Sequence, residues 1–84
     1  MSLSGSIQTG DVLDISNIYE MSIFTSATIG CPAPKILCSN DNIVWCEYSE
    51  MLKPYLYLAD LMANFIRIDY SENITIYYNA ILKK

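Results

Sequence analysis

The stretch NFIRIDYSENITIYYNAIL, residues 64–82, decides the fold class. Ile66 and Ile68 alternate with Arg67 and Asp69, and after Ser71-Glu72-Asn73 the alternation resumes with Ile74, Ile76 and Tyr78 against Thr75 and Tyr77. A period of two is the geometry of a pleated strand, whose successive side chains point to opposite faces. β-Branched and aromatic residues suit that surface, and the polar triplet reads as a turn. The stretch therefore predicts two strands joined as a hairpin, with Ile66, Ile68, Ile74, Ile76 and Tyr78 inward.

The same signal recurs along the chain. Residues 35–39 and 43–48 flank Asn40-Asp41-Asn42, residue types that accept left-handed backbone and so predict another hairpin. Trp45, in phase with Ile43, reads as a core anchor. Residues 12–16 predict a short strand with Leu13 and Ile15 on one face. Residues 19–25 predict a longer one, with Met21 and Ile23 opposed to Glu20 and Ser22. Residues 27–34 contain Gly30, Pro32 and Pro34 and read as a loop, because proline has no donor for a ladder. Residues 49–62 carry both a helical spacing (Leu58, Leu61, Met62) and the alternation Tyr55-Leu56-Tyr57-Leu58; Pro54 and the alternation favour a strand. The expected fold is all-β, a small antiparallel β-sandwich of six to seven short strands.

Residues 1–10, rich in serine and glycine, read as a flexible lead-in, and Met1-Ser2-Leu3 as a cloning remnant. Residues 11–84 are expected to form a single domain, since the chain of 84 residues supports one core. Apolar residues make up 52% of the sequence and charged ones 17%, a balance that speaks against disorder and leaves apolar surface for a partner to cover. The net charge is -4, and Lys35, Lys53, Arg67, Lys83 and Lys84 form no basic stripe, which argues against nucleic acid and anionic lipid. Apolar runs are far shorter than the roughly 20 residues that span a bilayer. No secretory signal is visible, and localisation stays open.

Cys31, Cys38 and Cys46 are odd in number. Cys38 and Cys46 fall on neighbouring expected strands and could approach each other, while free thiols acting as small hydrophobes are the favoured reading. With no histidine and wide cysteine spacing, no metal site and no cofactor are expected. The same lack of histidine removes the usual base for a serine or cysteine nucleophile, so the chain is expected not to be an enzyme. The carboxylate pairs Asp60 with Asp69 and Glu47 with Glu50 are the remaining catalytic candidates. Asn73-Ile74-Thr75 matches a glycosylation acceptor and also serves to close a turn. Tyrosine is the unusual supply. Tyr55, Tyr57 and Tyr77 fall on the outward phase and, with Asn40 and Asp41 of the turn, are the candidate ligand or interface residues.

Three motifs carry a resemblance. Residues 12–19, Val-Leu-Asp-Ile-Ser-Asn-Ile-Tyr, resemble a strand of discoidin, or coagulation-factor-type C, domains. Residues 39–45, Ser-Asn-Asp-Asn-Ile-Val-Trp, are similar to that family's hairpin, with Asn42 in place of the turn glycine, and residues 63–68, Ala-Asn-Phe-Ile-Arg-Ile, to its late strand. The resemblance covers about residues 11–82 and implies a galactose-binding-like sandwich with carbohydrate as a ligand class. The function expected overall is a structural, assembly or adhesion module, a homo-oligomer or part of a larger assembly such as a phage or prophage tail. A carbohydrate-binding module is the alternative.

Overall fold

The computed structural model describes residues 2–59 and 63–83, and these are all-β. Eight strands follow in order: β1 (Ser2–Gln8), β2 (Val12–Asp14), β3 (Ile18–Phe24), β4 (Lys35–Ser39), β5 (Cys46–Glu50), β6 (Tyr55–Ala59), β7 (Phe65–Asp69) and β8 (Thr75–Leu82). They build two four-stranded antiparallel sheets, a front sheet ordered β1-β8-β3-β6 and a back sheet ordered β2-β7-β4-β5. Among the described strands, only the link from β4 to β5 stays within one sheet; every other link crosses between sheets. This is the wiring of an eight-stranded jelly roll.

Each sheet has one apolar face, and neither can bury it alone, so the two close on each other. Met21, Ile23, Leu58, Ile76 and Ala80 come from the front sheet, and Ile36, Ile66 and Ile68 from the back. Ile15, Met51 and Ile74 join them from the links. The proline-bearing link 25–34 is held by side chains instead of a ladder. Thr25 Oγ1 donates to the Thr75 carbonyl (2.8 Å), and the Tyr70 hydroxyl accepts from the Gly30 N–H (2.8 Å).

Two turns rest on special backbone. Gly10, between β1 and β2, has φ 88°, a left-handed value that costs a residue with a Cβ about 1–2 kcal/mol. Asn42 has φ 63°, the conformation for which asparagine is best suited among non-glycine residues.

Several expectations are corrected. Order does not begin near Asp11: Ser2–Gln8 is a strand paired with β8 from Ser2 opposite Ile81 to Gln8 opposite Thr75, which brings the strand count to eight. The repeated serines misled because β1 is an edge strand with a mostly solvated surface, which puts little selection on its composition. Strands β7 and β8 are not a hairpin, since β7 lies in the back sheet and β8 in the front, and residues 70–74 turn the corner between them. The inward phase is nonetheless as expected, with Ile66, Ile68, Ile74 and Ile76 buried and Tyr78 half-buried. The β4–β5 hairpin exists, but its second strand starts at Cys46, and Ile43 and Val44 are exposed in the link. Trp45 lies outside the core cluster; its ring is covered by the Arg67 guanidinium at 4.6 Å. The thiols are free, but Cys31 and Cys46 are exposed and only Cys38 packs against the core. Residues 55–59 are the strand β6, as Pro54 and the alternation favoured, whereas Asp60, Leu61 and Met62 lie outside the described residues.

Candidate functional site

Strand register turns alternate residues of the front sheet outward in rows that cross all four strands. One row runs Ser6, Tyr77, Phe24, Tyr55, and the next Ser4, Asn79, Ser22, Tyr57. A third runs Ser2, Ile81, Glu20, Ala59. The interleaved positions hold Ala80, Met21 and Leu58, which are buried. Because the inner positions demand apolar residues, only the outer ones are free to carry function, and here they carry rings.

The Phe24 and Tyr77 rings stack with centroids 5.4 Å apart and planes inclined by 25°. Tyr55 continues the row at 62% exposure, with the Lys53 ammonium 6.0 Å from its ring centroid. Phe24 is 43% exposed although it has no polar atom to reward water contact. Beside them the Tyr57 hydroxyl donates to Glu20 Oε2. A shallow hollow of about 150 Å³ lies between Tyr57, Glu20, Ser22, Asn79, Ile81 and Ser2.

The back sheet's outer face is of a different kind. Lys35 Nζ lies 3.5 Å from Glu47 Oε1, and Arg67 grips the Asp69 carboxylate with both Nε (2.9 Å) and Nη2 (3.1 Å). Val12 and Leu37 share that face, but around these two ion pairs it presents the polar exterior usual for an antiparallel sheet. The contrast makes the front face the candidate site.

Tyr55, Tyr57 and Tyr77 are thus brought onto one surface. Phe24 belongs with them, and its signal was in the sequence, where it follows Glu20 and Ser22 in the outward phase. Asn40 and Asp41 sit elsewhere, in the β4–β5 link of the back sheet. The Asn40 carbonyl accepts from Asn64 Nδ2 (3.1 Å). Asp41 Oδ1 accepts from the N–H groups of Val44 (2.9 Å) and Ile43 (2.8 Å) and from Ser39 Oγ (3.1 Å), which organises the turn around the left-handed Asn42. Of the carboxylate pairs, Glu47 is engaged by Lys35 and Asp69 by Arg67, while Asp60 is outside the described residues. Asn73, in the β7–β8 corner, donates from Nδ2 to Gln8 Oε1 (3.0 Å). Among the described residues, no group of three or more histidine, cysteine or acidic side chains is placed to hold a metal, and no helix is long and apolar enough to cross a membrane.

Hydrogen bonds from Val44 and Ile43 hold the Asp41 carboxyl below its ordinary value, and the N–H and hydroxyl of Ser16 do the same for Asp14. A depressed carboxyl binds its proton less readily when folded, so its contribution is complete above the unfolded value of 3.8 and is lost as pH falls through the lower folded value. Unfolding midpoints are therefore expected to fall on acidification below about pH 4. In Asp41→Asn part of that slope should vanish, which urea titrations across the acid range will show.

No known protein family, no curated protein and no solved structure matches this chain.

Proposed function

We propose that the chain is a non-enzymatic assembly module that uses the front face of its sandwich to join a second copy of itself. The observation that carries this reading is the row Tyr77, Phe24, Tyr55 across three strands, a stacked and solvent-facing ring surface with the apolar Phe24 at its centre. Rigid aromatic side chains provide contact area at low cost in entropy and dominate the energetics of interfaces. Charge points the same way. A net charge of -4 sets copies of the chain against one another, yet Glu20 is the only acid among the outward positions of those rows, and Tyr57 engages it. Two front faces related by a twofold axis meet with one carboxylate on each, already hydrogen-bonded to its own Tyr57.

Jelly-roll wiring is shared by viral capsid and lectin domains, so architecture supports repetitive assembly, as in a phage tail, and sugar recognition alike. The sugar reading has one observation in its favour. Ser4, Ser22 and Asn79 set hydrogen-bonding groups beside exposed tyrosine rings, a surface suited to the face and hydroxyls of a pyranose.

Light scattering at rising concentration tests the assembly reading. The wild-type chain is expected to associate. The double variant Phe24→Ser, Tyr55→Ser is expected to remain a monomer with an unchanged circular dichroism spectrum, because neither side chain is part of the core. A wild-type chain that stays monomeric overturns homotypic assembly. Sugar-induced NMR shifts confined to Tyr55, Tyr57, Tyr77 and Asn79 would then establish the carbohydrate reading in its place.

A further inference from the structure

The back sheet holds a pair of thiols to which the front face assigns no role. Cys38 on β4 stands directly opposite Cys46 on β5, and the same position of β4 faces Ile66 of β7 on its other side. Opposed residues of antiparallel strands have Cα atoms about 4.5–5.5 Å apart, inside the usual 4.4–6.8 Å span of a disulfide, and their side chains leave the sheet on the same face. Both thiols are free, Cys46 exposed and Cys38 half-buried against the core. The link between them is organised by Asp41, whose Oδ1 accepts from the N–H groups of Ile43 and Val44.

We propose that Cys38 and Cys46 are a reversible modification site, oxidised to an intramolecular disulfide by a small-molecule disulfide of the glutathione type. The exposed Cys46 acts first. It gives up its proton to solvent, and its thiolate attacks one sulfur of the co-reactant, whose S–S bond breaks and releases one thiolate. Cys38 then loses its proton and attacks Cys46 Sγ, which forms the protein disulfide and expels the second thiolate. Two protein thiols lose two electrons, the co-reactant gains them, and the two protons end on the two released thiols. Burial, with the neighbouring Cys46, pushes the Cys38 thiol up, which leaves the first attack to the exposed Cys46; in the second step proximity offsets the smaller thiolate fraction of Cys38.

The bond has a structural consequence at the sheet edge. Among the described strands, β5 is held in the sheet only by β4, and that pairing is interrupted by a register shift between Ile36 and Leu37. A covalent tie at Cys46 fastens the start of the strand.

Incubation of the full chain with oxidised glutathione is expected to remove two hydrogens from the intact mass, apart from any glutathione carried by the exposed Cys31. Peptide mapping should place the bond between Cys38 and Cys46, amide exchange of β5 should slow, and dithiothreitol should reverse both. Cys31→Ser is expected to keep the cross-link and Cys46→Ser to lose it. Cys38→Ser is expected to trap Cys46 as a stable glutathione adduct. A wild-type chain in which Cys46 keeps glutathione while Cys38 stays reduced, or in which the bond forms with Cys31 or between chains, overturns the proposal. Because Cys46 is exposed, Cys46→Ser reads out the site even if Cys38→Ser perturbs folding.

Discussion

Ile76→Ala is expected to remove about 2–5 kcal/mol of stability, the sum of lost transfer energy and the cavity left behind. Ile76 has no exposed surface and sits in β8, an interior strand of the front sheet, where Ile7 of β1 is its direct neighbour. Small domains are typically stable by only about 5–15 kcal/mol, and a chain of this size belongs toward the lower end, so the substitution consumes a large share of the total. The control lies on the same strand. Ile81 is 47% exposed on the outward phase, and its replacement by alanine should change stability by no more than about 0.5 kcal/mol. Urea denaturation should show a large fall in midpoint for the first and almost none for the second, at similar slope. Equal shifts would mean that the inward and outward phases of β8 are wrongly assigned.

Gly5→Val is expected to cost about 1–3 kcal/mol through overpacking. Gly5 lies opposite Tyr78, and a Cβ built there would meet the Tyr78 hydroxyl at 2.7 Å and Cζ at 2.9 Å. Tyr78 is half-buried and packs against the core, so its ring occupies the space that the glycine leaves open, an aromatic covering of a strand glycine. Removing glycine also stiffens the unfolded chain, which returns about 0.4–1 kcal/mol. The steric term is larger, so the net effect is loss. Gly5 does not have the positive φ of Gly10, so the requirement is for space and not for conformation. The expected signature is a lower midpoint together with faster amide exchange in β1. A neutral Gly5→Val would show that Tyr78 can turn away at no cost.

These two positions also show what sequence can reveal. Ile76 was legible because inward phase is a local property, set by side-chain alternation whatever strand lies alongside. For the same reason Ser71-Glu72-Asn73 looked like a hairpin turn: a corner between two sheets buries the same isoleucines that a hairpin within one sheet would. Local period gives the face of a strand and not its neighbour. Gly5 was illegible because its reason is a ring 73 positions further along the chain. Trp45 was misplaced because Cys46 begins the strand one residue later, leaving the indole to be satisfied by Arg67, a partner 22 residues away. Of the candidate site, the tyrosines of β6 and β8 were visible as outward residues, but their convergence with Phe24 on one surface depends on the order β8-β3-β6, which the sequence does not spell out.

That order has a consequence for how the molecule comes into being. Strand β8 is the last of the eight described strands and yet lies between β1 and β3. A ribosome delivers it after the other seven described strands, and until it arrives β1 has no partner in its sheet and β3 with β6 can form only a two-stranded ribbon, which is marginal in water. The front sheet therefore assembles by insertion, and the ring-bearing surface comes into existence in the same event that completes the core. A nascent chain cannot display that surface before β8 is in place, so the association proposed for it would be reserved for copies that have finished folding.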